Sequence, residues 1–143
     1  MEIRSTSPKQ TKEAGKNLAK KLNGGDVVAL FGELGAGKTN FVQGLAQGFG
    51  IKERVISPTF VFMRSYKIKK DQNILNLIHI DLYRINEARD FKLLGLEDIF
   101  NTQNIVVLEW AEKVSTLLPK KRTEVLLEKK GEFKRKITVK EKK

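Results

Sequence analysis

The sequence predicts an α/β protein: a three-layer α/β/α sandwich whose helices cover a mixed, partly antiparallel sheet. Three observations carry that prediction. Val27 to Phe31 is a continuous apolar run, the mark of a strand buried on both faces, and apolar residues at helical spacing follow it. A second such run, "NIVVLEW" from Asn104, has a helical pattern on either side. Elsewhere, strand-like runs are joined in pairs by short polar turns, the signature of hairpins and hence of antiparallel pairing.

Taken in order, the chain opens with Ser7 and Pro8 as N-cap and first turn of a helix running to about Leu22, with Ala14, Leu18, Ala19 and Leu22 as its apolar stripe. "NGGD" from Asn23 is the turn into the Val27 strand. Phe41, Val42, Leu45, Ala46 and Phe49 mark the next helix, and Gly50 stands where it would stop. "SPTFVFMRSYKI" predicts a strand from about Thr59. The polar turn "KKDQN" leads to a second strand, "ILNLIHI", ending at Asp81. A helical piece is expected around Asn86 to Leu94. After the Asn104 strand, "AEKVSTLL" reads as a helix stopped by Pro119. "TEVLLEKKGEFKRKITV" reads as a terminal hairpin turning at Lys130 to Glu132.

Length and composition limit the function classes. At 143 residues, positions 1–143 suit one domain, with no room for a separate substrate domain. There is no cysteine, so disulfide frameworks and thiolate metal sites are excluded. Neither a signal-peptide pattern nor a membrane-length apolar run is present, and a cytoplasmic protein is expected. The net charge is +11, and eight basic against two acidic residues fall between Lys129 and Lys143. That segment reads as a solvated edge strand, with weak tRNA contact as the alternative.

The richest stretch is "VVALFGELGAGKTNFVQGL", Val27 to Leu45. Gly32, four residues, Gly37, Lys38 and Thr39 satisfy the Walker A pattern, and the required context, strand before and helix after, is present. Glycines there let the amides of Gly35, Ala36, Gly37 and Asn40 curl around an anion at a helix N-terminus. Lys38, read as an exposed loop lysine, would reach the β and γ phosphates, and the Thr39 hydroxyl would meet Mg²⁺. The fold is thereby a P-loop NTPase type. Such a site needs a further acid at a neighbouring strand end to hold metal or the attacking water. Two residues have that form, Asp81 after "LIHI" and Glu109 after "IVVL". Residues alone leave open which holds Mg²⁺ and which the water.

"GELGAGKTNF", "SPTF", "HIDLYR", "GLEDIF" and "LEW", in this order and spacing, resemble the TsaE (YjeE) family of ATPases of tRNA threonylcarbamoyladenosine biosynthesis. The resemblance runs from Ser7 to Trp110; the C-terminal hairpin matches only in type. It implies a protein that binds and hydrolyses ATP with Mg²⁺ in complex with the TsaD and TsaB proteins, weakly alone and faster with partners. It also implies that "SPTF" is a switch segment bringing Thr59 to the γ-phosphate or metal, with Pro58 holding Ser57 extended. Asp81 and Glu109 match the family's two acids as catalytic residues and metal ligands, with Glu109 favoured on the metal side because its strand is the more apolar. Trp110 would lie near the nucleotide or a partner surface. Asn40 departs from the family, which usually has a second threonine there.

His79 reads as a satisfied interior residue, with positioning of the acid two residues on as the alternative, and Arg84 is read as pairing with a carboxylate rather than as an arginine finger. Thr6, Ser7 and the basic hairpin are candidates to flank the base. A small-molecule kinase would need an acceptor pocket and a lid, and no insertion is long enough for both. An RNA-binding module would need aromatics among its basic residues, and the tail offers only Phe133.

Overall fold

A computed structural model of the chain describes residues 1–55, 63–69 and 73–143. Its strands are β1 (Glu2–Ser5), β2 (Val27–Phe31), β3 (Met63–Lys67), β4 (Asn76–Asp81), β5 (Asn104–Glu109), β6 (Arg122–Lys129) and β7 (Arg135–Lys142). Its α-helices are α1 (Pro8–Ala19), α2 (Lys38–Gly48) and α3 (Ala88–Leu93). The strands form one sheet in the order β1-β7-β6-β2-β5-β4-β3. The inner four, β6, β2, β5 and β4, are mutually parallel, while β3, β7 and β1 add antiparallel edges.

Alternation along the strands distributes the core between two faces. Val28, Leu30, Ile105, Val107, Val125 and Leu127 face α1 and α2, packing with Leu18, Phe41 and Leu45. Val27, Ala29, Ile78, Ile80, Val106 and Leu108 face the other way, against Phe91 of α3 and against Ala111, Val114 and Leu118. Each residue in such a strand meets a helical layer, which explains why β2 and β5 read as unbroken apolar runs. The sandwich with a mixed sheet is therefore the fold the sequence predicts.

Local chemistry sets the ends of the elements. Ser7 caps α1 by accepting from the Gln10 amide at 3.1 Å, and the Gln10 side chain accepts from the Thr6 amide at 2.6 Å. The helix ends at Ala19; Lys21 and Leu22 continue it only as tighter turns, their amides donating to Leu18 and Ala19. Gly50, with φ 76°, closes α2, and the Ile51 amide donates back to Ala46. Helices α1 and α2 touch backbone to backbone: a Cβ on Gly44 would stand 1.9 Å from the Lys12 carbonyl oxygen.

Two expectations change. "AEKVSTLL" forms two short 3₁₀ turns, Ala111–Lys113 and Ser115–Leu117, rather than an α-helix. Between them Val114 takes φ −134° and is fully buried, so burying this β-branched side chain wins over helix continuity. At the other end, β1 is an additional edge strand, four residues long, paired with β7. The predicted β3–β4 and β6–β7 hairpins are both present. Part of "KKDQN" and all of "SPTF" lie outside the described residues. Among the described residues, no helix is long and apolar enough to cross a membrane.

Candidate functional site

The carboxyl ends of β2, β5 and β4 lie side by side, the place where open α/β sheets leave a crevice for ligands. β2 runs out at Phe31 into the glycine loop, β5 ends at Glu109, and β4 ends at Asp81, which is in register with Glu109. Sheet order thus brings the two acids predicted from sequence to the loop.

The loop turns through two glycines in the left-handed region. Gly35 has φ 81° and Gly37, the N-cap of α2, has φ 98°; a side chain at either would be strained. Ala36 between them is buried and its amide donates to Glu33. Lys38, Thr39 and Asn40 are the first three residues of α2, so their amides belong to the helix end that favours anions.

Lys38 is not exposed as the sequence suggested: only 5% of its surface is accessible. Its Nζ donates to the carbonyls of Gly32 and Glu33, the latter at 3.4 Å, and sits 3.4 Å from the centroid of the Trp110 ring. The aromatic face replaces part of the ammonium's lost hydration. Burial pushes the Lys38 pKa below its ordinary value, opposed by the charges of Glu112, Glu109 and Asp81. Trp110 reaches that position through a left-handed backbone, φ 61° and ψ 40°, the one non-glycine positive φ among the described residues. Tyr83 packs beside it at 5.3 Å between centroids, and the Lys113 ammonium, donating to the Tyr83 carbonyl, lies near both rings.

On the loop's other side the Thr39 hydroxyl donates to Glu109 Oε1 at 3.5 Å. Glu109 Oε2 is held by His79 Nε2 at 2.5 Å, with both side chains buried. His79 therefore engages Glu109 across the sheet, not the nearby Asp81. Register explains this: His79 is in line with Val107, and Glu109, two residues on, projects from the same face. Asp81 Oδ1 accepts from the Tyr83 amide at 3.0 Å. Thr39 Oγ1 and Glu109 Oε1 are neighbouring hard oxygens, a donor pair that suits Mg²⁺ and leaves positions for water and phosphate.

The structure thus places Gly35, Ala36, Gly37, Lys38, Thr39, Asn40, Asp81, Glu109 and Trp110 at the carboxyl ends of β2, β5 and β4, while Thr59 lies outside the described residues. Sequence reasoning did not single out Arg135, whose guanidinium donates to the loop carbonyls of Gly35 and Ala36 at 3.0 and 3.1 Å. Nor did it find Glu112, which accepts from the Gly32 amide at 3.4 Å. No spacing rule announces either contact, because each partner lies far along the chain.

Comparison with known proteins gives a consistent picture. Residues 5–137 match the family model described as threonylcarbamoyl adenosine biosynthesis protein TsaE. The chain is 38% identical over 136 residues to the tRNA threonylcarbamoyladenosine biosynthesis protein TsaE of Bacillus subtilis, a match covering 94% of this chain and 82% of that one. To the protein of the same name from Treponema pallidum it is 37% identical over 135 residues, covering 94% and 96%. The crystal structure of Bacillus subtilis YdiB is similar with a TM-score of 0.79 and 34% identity, covering 97% of this chain and 83% of YdiB.

Proposed function

This chain belongs to the TsaE family of threonylcarbamoyl adenosine biosynthesis proteins, and from that premise we propose that it is a Mg²⁺-dependent ATPase working with TsaD and TsaB proteins in the threonylcarbamoylation of tRNA. The observation that carries the ATPase reading is the juxtaposition of the buried Lys38, the Thr39–Glu109 oxygen pair and Asp81 at the ends of three adjacent parallel strands. These are the parts that phosphoryl transfer from a nucleotide requires.

Each residue then has a task. The glycine loop and the N-terminal amides of α2 bind the phosphate chain. Lys38 exchanges the carbonyls of Gly32 and Glu33 for phosphoryl oxygens, a gain for an ammonium held above an aromatic ring beside neutral acceptors. Thr39 and Glu109 would hold Mg²⁺, which would supply positive charge against the phosphates. His79 fixes Glu109 by Oε2 and so leaves Oε1 toward Thr39. Asp81, in register beside Glu109, orients the attacking water. Thr59 belongs to the same proposal as the switch residue near the γ-phosphate.

Slow turnover alone and acceleration by partners follow from the same arrangement. Among the contacts of the described residues, the Arg135 guanidinium at the loop is committed to carbonyls of Gly35 and Ala36 rather than to the transferred phosphoryl group. Charge for the transition state is then best supplied by a partner's surface, which would also close the crevice over Trp110 and Tyr83. A weak tRNA contact through the basic C-terminal segment is a secondary part of the proposal.

The test is steady-state ATP hydrolysis by the chain alone, with TsaD and TsaB, and with a panel of small hydroxyl acceptors. Slow turnover alone and stimulation by the two proteins are expected. Full-rate hydrolysis alone, or phosphorylation of an acceptor, would overturn the reading in favour of a kinase.

A further inference from the structure

Arg135 is the first residue of β7, in register with Ser5 of β1 on one side and Lys129 of β6 on the other. Sheet pairing on both sides fixes its backbone, so its guanidinium has a defined reach. That reach is divided between two segments. Nε donates to the Ala36 carbonyl at 3.1 Å and Nη2 to the Gly35 carbonyl at 3.0 Å. Nη1 faces the turn between β6 and β7, with the carbonyls of Gly131, Glu132 and Lys134 at 3.1, 3.2 and 3.0 Å. All five acceptors are main-chain oxygens.

The consequence lies in peptide geometry. In a planar trans peptide the carbonyl and the following N–H point in opposite directions. Holding the Gly35 and Ala36 oxygens toward Arg135 therefore turns the Ala36 and Gly37 amides away from it; the Ala36 amide meets the Glu33 carbonyl at 3.1 Å, a bond that an anion would displace. Flanked by two left-handed glycines, this loop has few side chains of its own to hold those planes. Anchoring from outside lowers the ordering cost of binding an anion.

We propose that Arg135 is a positioning residue that sets the phosphate-binding amides of the glycine loop and couples them to the basic turn 130–134. The inference rests on the nucleotide-binding reading above and adds to it a second segment that senses the nucleotide. One guanidinium serves both segments, so whatever stiffens the loop stiffens the turn. By reciprocity, whatever engages the turn alters nucleotide affinity by the same factor. The turn is fit to be engaged: Phe133, between Glu132 and Lys134, is 60% exposed.

Amide hydrogen exchange on the full chain, with and without a non-hydrolysable ATP analogue and Mg²⁺, tests the coupling directly. In the parent protein the analogue should slow exchange in the loop 32–40 and also in the turn 130–134. Arg135→Ala should bind a fluorescent ATP analogue about tenfold more weakly, the loss expected for charged hydrogen bonds, and its turn should no longer respond. Arg135→Lys should behave like the alanine variant, since an ammonium cannot span the two carbonyls as the planar fork does. Should the alanine variant fail to fold, the parent's exchange pattern and the lysine variant decide. Tight binding in the parent with an unresponsive turn, or parental affinity in either variant, would overturn the proposal while leaving the ATPase reading intact. No analogue binding by the parent would overturn both.

Discussion

Replacing Lys38 by alanine separates what this lysine does for the fold from what it does for phosphate. On the fold side, the variant loses the charged hydrogen bonds to Gly32 and Glu33, roughly 1.5–3 kcal/mol for such bonds. It also loses the cation–π contact with Trp110, about 0.5–2 kcal/mol. Against that, a nearly buried ammonium disappears, and desolvation of a buried ion costs several kcal/mol. These terms oppose one another, so stability should move by no more than about 1 kcal/mol in either direction. On the binding side the ammonium gives up neutral carbonyls and the ring for anionic phosphoryl oxygens, so the exchange is a net gain that the variant forgoes. Bonds to phosphoryl oxygens worth about 3 kcal/mol are removed, which weakens ATP binding about a hundredfold. Urea unfolding measures the first quantity and displacement of a fluorescent ATP analogue the second. Trp110 is the single tryptophan, so its emission should change in the parent as nucleotide draws the ammonium off the ring. Parental ATP affinity in the variant would refute the reasoning, as would a parent whose tryptophan emission ignores saturating ATP.

Further outcomes follow from neighbouring contacts. Glu109→Ala should weaken the Mg²⁺ dependence of nucleotide binding more than Asp81→Ala does, because Glu109 adjoins the Thr39 hydroxyl; Mg²⁺ titrations against the fluorescent analogue give the order, and the reverse order would exchange the two roles. The lowered pKa of Lys38 means that between its folded value and the ordinary 10.5 the unfolded chain binds more protons. The burial penalty is thus fully present below the folded value and lifts as pH rises through it. Relative to Lys38→Ala, the parent should gain stability as pH rises toward the ordinary lysine value of 10.5, read by urea unfolding at each pH; a constant difference would contradict the shift. Gly44→Ala should destabilise by about 1–3 kcal/mol, since the added methyl meets the Lys12 carbonyl, and a melting temperature equal to the parent's would contradict that packing.

The parts legible in the sequence are those whose physics is local. A backbone anion cradle needs glycines at fixed spacing before a helix, so Gly32 to Thr39 announce themselves. Strands buried on both faces must be apolar throughout, so β2 and β5 are equally plain. Strand β1 was hidden because four residues on a sheet edge, only one of them fully buried, carry no periodicity. The 3₁₀ turns after β5 were misread as a helix because the apolar spacing of Ala111, Val114 and Leu118 suits both, and only the backbone of Val114 distinguishes them. Partners across the sheet depend on register: the same residues His79 and Glu109 would not meet after a slip of one position. Arg135 presents the extreme case, since it looks like any basic residue of a charged tail until the sheet carries it to a loop 99 positions earlier.

The pairing of the first strand with the last imposes an order on assembly. The amino group of Met1 donates to the carbonyl of Val139, 138 positions away, and β2 receives its neighbour β6 only from the far end of the sequence. Contacts between distant parts of a chain form slowly, after local ones. On a ribosome the glycine loop and α2 emerge early and can close their own turns. The sheet beside them has no strand on that flank of β2 until β6 has been synthesised, and the loop lacks its outer grip until Arg135 follows. On the function proposed above, nucleotide binding would await the synthesis of β6 and Arg135, and a nucleotide would stabilise only chains that extend past them.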